Sequence, residues 1–162
     1  MTVVEVSNEL KVKISPERMF KAVITNAHNV LPKMLPHIFK SIEVLEGEGG
    51  TVGCVRKLSF TDVIPFSHLK DKFDAVDTKH LEAKIDLFEG PMLGEKLESM
   101  YSEKRFVDSG DGGCIIKWKH HLHLKPGHTH VTEEEFKGQN EFSTTFLTAV
   151  EAYLLAHPEV CA

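Results

Sequence analysis

Six short runs of β-type residues follow one another between Phe39 and Leu124, with only a few turn-forming residues between each pair. Strands joined this tightly must be antiparallel neighbours, because a parallel neighbour needs a crossover of a dozen or more residues. The predicted runs are Phe39–Leu45, Val55–Thr61, Phe66–Phe73, His80–Phe88, Lys96–Val107 and Cys114–Leu124. The glycine cluster Gly47–Gly53, Asp62 with Pro65, Asp74–Thr78, Gly90 and Pro91 with Gly94, and Ser109–Gly113 punctuate them. A seventh strand is predicted over residues 2–14, where Val4, Val6, Asn8, Leu10, Val12 and Ile14 share one side and Glu5, Glu9, Lys11 and Lys13 the other.

Helical signals lie at both ends of this meander. Ser15 followed by Pro16 offers a cap and a proline at the first helical position, and Met19, Phe20, Val23 and Ile24 give that short helix an apolar stripe. A second short helix is predicted over Ala27 to Met34, broken by Pro32 and stopped by Pro36. From Thr132 the period becomes helical, with Phe136, Asn140, Phe142, Phe146, Ala149, Val150, Tyr153 and Leu154 recurring on one side. Three glutamates crowd its first turn, where the helix dipole favours them. This long C-terminal helix is the one element able to cover the sheet. The fold class is therefore α+β: a curved seven-stranded antiparallel sheet with two short helices after strand one and a long closing helix. At 162 residues, positions 1–162 are expected to form one domain.

Charge and cysteine content narrow the function. Nineteen basic against 24 acidic residues leave a net charge of −5, the wrong sign for a generic nucleic-acid or anionic-membrane partner, so neither is expected. Cys54, Cys114 and Cys161 are widely spaced and odd in number, which points to reduced thiols and a cytoplasmic protein. The N-terminus shows neither a basic start nor a long apolar stretch, so no signal peptide is expected. The glycine cluster lacks a following Gly-Lys-Ser/Thr, so it is read as a turn and not as a phosphate cradle. His121 and His123 share one strand face at a spacing two metal ligands could use, yet no cysteine or carboxylate nearby in sequence completes a site, and no metal or cofactor is expected.

Several motifs carry a resemblance. They are Glu46-Gly47-Glu48-Gly49-Gly50, Ile64-Pro65-Phe66, Lys70-Asp71-Lys72, Phe88-Glu89-Gly90 and the closing Ala149-Val150-Glu151-Ala152-Tyr153-Leu154-Leu155-Ala156. With this order of elements the chain resembles, over its whole length, the birch-pollen-allergen (Bet v 1-like) family, the plant pathogenesis-related class ten proteins. The glycine loop departs from the family pattern by one extra residue, Gly50 and Gly53 being separated by Thr51-Val52. The resemblance implies a sheet wrapped around the C-terminal helix, leaving a large apolar cavity in which relatives bind hormones, flavonoids, steroids or alkaloids. A few relatives, norcoclaurine synthase and neopinone isomerase among them, are enzymes of alkaloid assembly.

Strand alternation combined with the family register names the expected lining. Val23, Ile24, Leu31, Leu58 and Phe60 form an apolar wall; Phe66 and His68 point in from the fourth strand, with Ser67 and Leu69 opposite. Ala83, Ile85 and Leu87 follow on the fifth strand, and Glu98, Met100, Ser102, Lys104 and Phe106 on the sixth. The seventh contributes Ile116, Trp118, His120 and Leu122, and the helix Asn140, Phe142, Ser143 and Phe146. Ala83 and Ser102 are small where the family is often aromatic.

His68, Lys104 and His120 on these tracks need partners, a ligand or a bend to solvent, because unpaired burial of charge is costly. His68 and His120 could orient a polar ligand atom, act as an acid/base pair or be indifferent to ligand. Lys104 could face ligand or snorkel outward. Where norcoclaurine synthase uses a tyrosine, a glutamate, a lysine and an aspartate, the resemblance places Leu69, Asp71, Ala83 and Ser102, so that chemistry is not expected here. Glu151 and Tyr153 match positions proposed for ribonuclease activity in some relatives, but fit helix surface and packing better.

The expected function is a cytoplasmic plant protein that binds a small hydrophobic metabolite. The alternative is an isomerase or cyclase of alkaloid metabolism with His68, His120 and Lys104 as its catalytic groups. A defence-related scaffold with an incidental cavity is the third possibility.

Overall fold

The computed structural model describes residues 2–162. Among them the elements run β1 (Val3–Val12), α1 (Pro16–Phe20), a π-helical segment (Lys21–Thr25), α2 (Ala27–Met34), β2 (Phe39–Glu46), β3 (Val55–Phe60), β4 (His68–Asp77), β5 (Glu82–Glu89), β6 (Leu97–Asp108), β7 (Cys114–Leu124) and α3 (Glu133–Ala156). The seven strands form one antiparallel sheet in the order β1-β7-β6-β5-β4-β3-β2. Every neighbour but one is consecutive in sequence, as short turns require. β1 joins β7 at one edge, so the chain closes back on its own start.

The helices start where the sequence placed them. Ser15 Oγ accepts from the Arg18 amide and Pro16 follows it. The break expected at Pro32 does not occur: Pro32 sits in the last turns of a helix that runs on to Met34. Thr132 caps α3 in a reciprocal capping box with Glu135. At the other end of α3, Arg18 Nη2 donates to the carbonyls of Leu154, His157 and Val160 at 2.8–3.2 Å. A cation from α1 thus occupies the negative end of the helix that crosses the sheet. Glu151 accepts from the Lys13 amide at 2.7 Å, tying α3 to the end of β1.

The glycine loop is held by close approach. A Cβ on Gly50, whose φ is +81°, would lie 1.9 Å from the Thr25 carbonyl oxygen, so only glycine lets this loop pack on the π-helical segment. The main core gathers the inner sides of α1, α2, the sheet and α3 around Phe20, Leu31, Phe73, Phe106, Ile116, Val150 and Leu154.

Ladder irregularities decide which side chains face inward. A bulge between Phe73 and Ala75 carries β4 through to Asp77, across residues predicted to be a turn. A second irregularity between Leu97 and Ser99 turns Leu97 fully inward and leaves Glu98 exposed, against the inward position expected for Glu98. Asn8, expected on the buried side of β1, is exposed as well.

Candidate functional site

Between α3 and the sheet lies a cavity of about 360 Å³. Its apolar wall includes Val23, Leu31, Phe39, Leu58, Phe60, Phe66, Leu69, Ile85, Leu87, Met100, Phe106, Ile116, Trp118, Phe142, Phe146 and Leu147. Aromatic edges build one side: Phe142 of α3 meets Phe60 at 5.7 Å and Phe66 at 5.5 Å between ring centroids, and Phe146 meets Phe39 at 5.6 Å. Pro65, Pro91, Met92, Glu135, Gly138, Gln139 and Ser143 complete the wall between the strand-connecting loops and α3.

The polar lining is concentrated on three successive levels of the regular β5–β6–β7 ladder and on β3–β4 beside it. Leu87, Met100 and Leu122 form one inner rung; Ile85, Ser102 and His120 the next; Ala83, Lys104 and Trp118 the third. Ser102 Oγ and His120 Nδ1 lie 2.5 Å apart, and both residues are buried. Burial, reinforced by the positive Lys104, pushes the His120 imidazole down to about 4, so it is neutral at physiological pH. Lys104 is half-buried on the cavity wall. Desolvation, and secondarily the Arg56 charge, bring its amine down to about 8, with Asp71 opposing. It makes no ion pair or hydrogen bond among the described residues.

Arg56 and Asp71 form a bidentate pair at 2.9 and 2.7 Å, with side chains only 5% and 6% exposed. The guanidinium also lies 4.5 Å from the Phe73 ring centroid. Sequence reasoning named neither residue as lining. A signal existed: Arg56 has the same strand parity as Leu58 and Phe60, and an arginine on an inward track demands an acid.

Most of the expected lining is brought together. Val23, Leu31, Leu58, Phe60, Phe66, Ile85, Leu87, Met100, Ser102, Lys104, Ile116, Trp118, His120, Phe142, Ser143 and Phe146 all reach the cavity. Six expected residues do not: Glu98 is exposed, Leu122 is buried in a second core cluster with Val6, Leu97 and Leu124, and four more lie elsewhere. Ile24 and Ala83 are buried in the surrounding core, and Asn140 is half-buried on α3 away from the wall. His68 faces the other way, its Nε2 2.6 Å from Glu89 and its Nδ1 3.0 Å from Ser67. The cause is register. Leu58 pairs with Leu69, and Ser59 with His68, so the inward Leu58 brings Leu69 inside and leaves His68 outside. The expected His68–His120 pair across the cavity is therefore not formed.

On the outer face, His121 is packed between Glu103 (Nε2–Oε1, 2.8 Å) and Glu5 (Nδ1–Oε1, 3.4 Å) and stacks on Tyr101 at 4.2 Å. Among the described residues no group of three or more His, Cys, Asp or Glu side chains is placed to hold a metal ion. No helix among them is long and apolar enough to cross a membrane.

The comparisons with known proteins agree with this architecture. A model described as the pathogenesis-related protein Bet v 1 family matches residues 1–157. Pathogenesis-related protein STH-2 of Solanum tuberosum is 38% identical over 162 residues, covering 100% of both chains. Major allergen Pru ar 1 of Prunus armeniaca is 38% identical over 90% of each. Among solved structures, Ara h 8.0201 superposes with a TM-score of 0.80 at 26% identity, over 96% of this chain and 99% of that one. Norcoclaurine synthase from Thalictrum flavum gives a TM-score of 0.73 at 23% identity over 96% and 88%, a likeness of fold.

Proposed function

This chain belongs to the pathogenesis-related protein Bet v 1 family, and from that premise we propose that it binds a small, largely apolar molecule in the cavity beneath α3. The observation that carries this is the cavity itself: about 360 Å³, walled mainly by aliphatic and aromatic side chains. Cavities of roughly 300–1,000 Å³ with an oily wall and a few convergent polar groups are the usual form of small-molecule sites. The apolar wall supplies affinity, and Ser102, His120 and Lys104 orient the ligand's polar end.

Saturable binding of the neutral fluorophore N-phenylnaphthylamine tests this. Ser102→Trp, which places an indole on the middle rung, is expected to weaken it at least about tenfold, since a filled cavity loses the buried area that drives association. Unsaturable fluorescence, or undiminished binding in the plugged variant, would refute it.

One arrangement favours a second reading, an acid/base enzyme of small-molecule metabolism. A neutral imidazole and an amine brought down to about 8 stand on adjacent rungs of one cavity wall. Such a pair could remove a proton from a bound molecule and return it elsewhere. The catalytic groups are then His120 and Lys104, without His68. Turnover of an enone or iminium substrate that His120→Gln lowers by roughly 10²–10⁴-fold would support it; turnover unaffected by that change would exclude it.

A further inference from the structure

The charges on the cavity wall do not cancel. Arg56 is matched by Asp71, both of whose carboxylate oxygens it occupies. Glu135 is matched by Lys96 at 2.6 Å and by the Thr132 amide at 2.9 Å. Lys104 is left over: among the described residues no carboxylate pairs with it, and Asp71, whose charge favours its ammonium, is already held by Arg56. Directly across the β6–β7 ladder from it stands Trp118, 3% exposed, whose indole Nε1–H is buried without a hydrogen-bond partner among the described residues. On the adjacent rung Ser102 and His120 already satisfy each other through Nδ1. The unmet groups on this rung are thus both donors, one of them charged. Among the described residues an unpartnered acceptor of the wall, Gln139 Oε1, belongs to a side chain whose amide nitrogen lies against Met92 and Met100. Met100 is two rungs, or about 13 Å, along the strand from Lys104.

We propose that the cavity selects an amphipathic carboxylic acid, whose carboxylate pairs with the Lys104 ammonium and takes the Trp118 indole N–H. This deepens the binding function proposed above and rests on it. A monoanion brings the wall to neutrality and supplies acceptors to both groups that lack them; a neutral ligand leaves the cation buried and bare.

The pH dependence follows from the groups facing Lys104: Arg56 from β3, Asp71 from β4, His120 from β7 and, at the α3 side of the wall, Glu135. The free amine loses its proton near pH 8. Above that pH, binding the acid must first restore the proton, so affinity for the acid falls by about tenfold per pH unit while affinity for a neutral analogue does not.

The test uses the full chain and two isosteric probes, naphthylacetic acid and naphthylacetamide, each displacing N-phenylnaphthylamine at pH 7 and pH 9. The acid is expected to bind at least about tenfold more tightly than the amide at pH 7, as a charge-assisted pair allows, and to lose most of that advantage at pH 9. In Lys104→Met the preference is expected to vanish. If Lys104→Met does not fold, the wild-type pH profile decides alone. Equal affinities for acid and amide, a preference flat in pH, or a preference surviving in Lys104→Met overturns the proposal. If the fluorophore binds in those cases, the cavity remains a ligand site; if neither fluorophore nor naphthyl probe binds, the binding function itself falls.

Discussion

Replacing Lys104 by Met should make the empty protein more stable at neutral pH, although it deletes a charge from the one site proposed to use it. An unfolded lysine keeps its proton to about 10.5, whereas folding brings this amine down to about 8. Between those values the unfolded chain binds the extra proton, so stability rises with pH across the window; below pH 8 the whole penalty applies. About 2.5 units correspond to about 3 kcal/mol, an upper figure for the gain in Lys104→Met at pH 7. For a chain of this length that is roughly 6–12 °C in Tm. Methionine keeps the unbranched stem, so the packing against Ala83 and Trp118 on the same rung is preserved. Urea unfolding of both proteins at pH 7 and pH 10 checks it. The gap should be widest at pH 7 and close towards pH 10. The buried Cys114 thiol, pushed up to about 12, also titrates differently on unfolding, but it is common to both proteins and cancels in the difference. A Lys104→Met protein no more stable than wild type at pH 7, or a gap independent of pH, would refute the account of Lys104 as an uncompensated buried cation.

Asp71→Asn should destabilise by about 3–5 kcal/mol, because it strands the Arg56 guanidinium beside Lys104; the double change Arg56→Met with Asp71→Leu should recover most of that loss in the same urea assay. The His120 imidazole, held down to about 4 by burial, contributes stability that is complete above about pH 6.5 and lost as pH falls towards 4, where the unfolded chain protonates first. His120→Gln should flatten that acid limb in thermal melts run from pH 7 to pH 4. Gly50→Ala should cost more than about 2 kcal/mol in chemical denaturation, since its Cβ would collide with the Thr25 carbonyl at a positive φ.

Legibility of the site tracks the regularity of the ladder. From Ser99 to Asp108 the β6–β7 register runs without a shift, and there strand parity, anchored by the family register, places Met100, Ser102, Lys104, Trp118 and His120 on the inner face. Where a strand starts later than the sequence pattern suggests, parity fails. β4 begins at His68 and not at Phe66, so counting in twos from Phe66 put His68 inside and Leu69 outside, the reverse of what pairing with β3 imposes. A shift of one residue exchanges the two faces of a strand completely, and no local pattern in Phe66-Ser67-His68-Leu69 announces it. The correct parity was recoverable from charge. Arg56 lies two residues before the inward Leu58, and the acid that neutralises it must come from the neighbouring strand at matching height. Asp71, two residues beyond Leu69, is that acid, and accepting it as inward forces Leu69 inward and His68 out. The same reasoning, carried to the next charge on the wall, finds no partner for Lys104 among the described residues, so a residual cation, and not a pair of histidines, is the charged feature of this cavity.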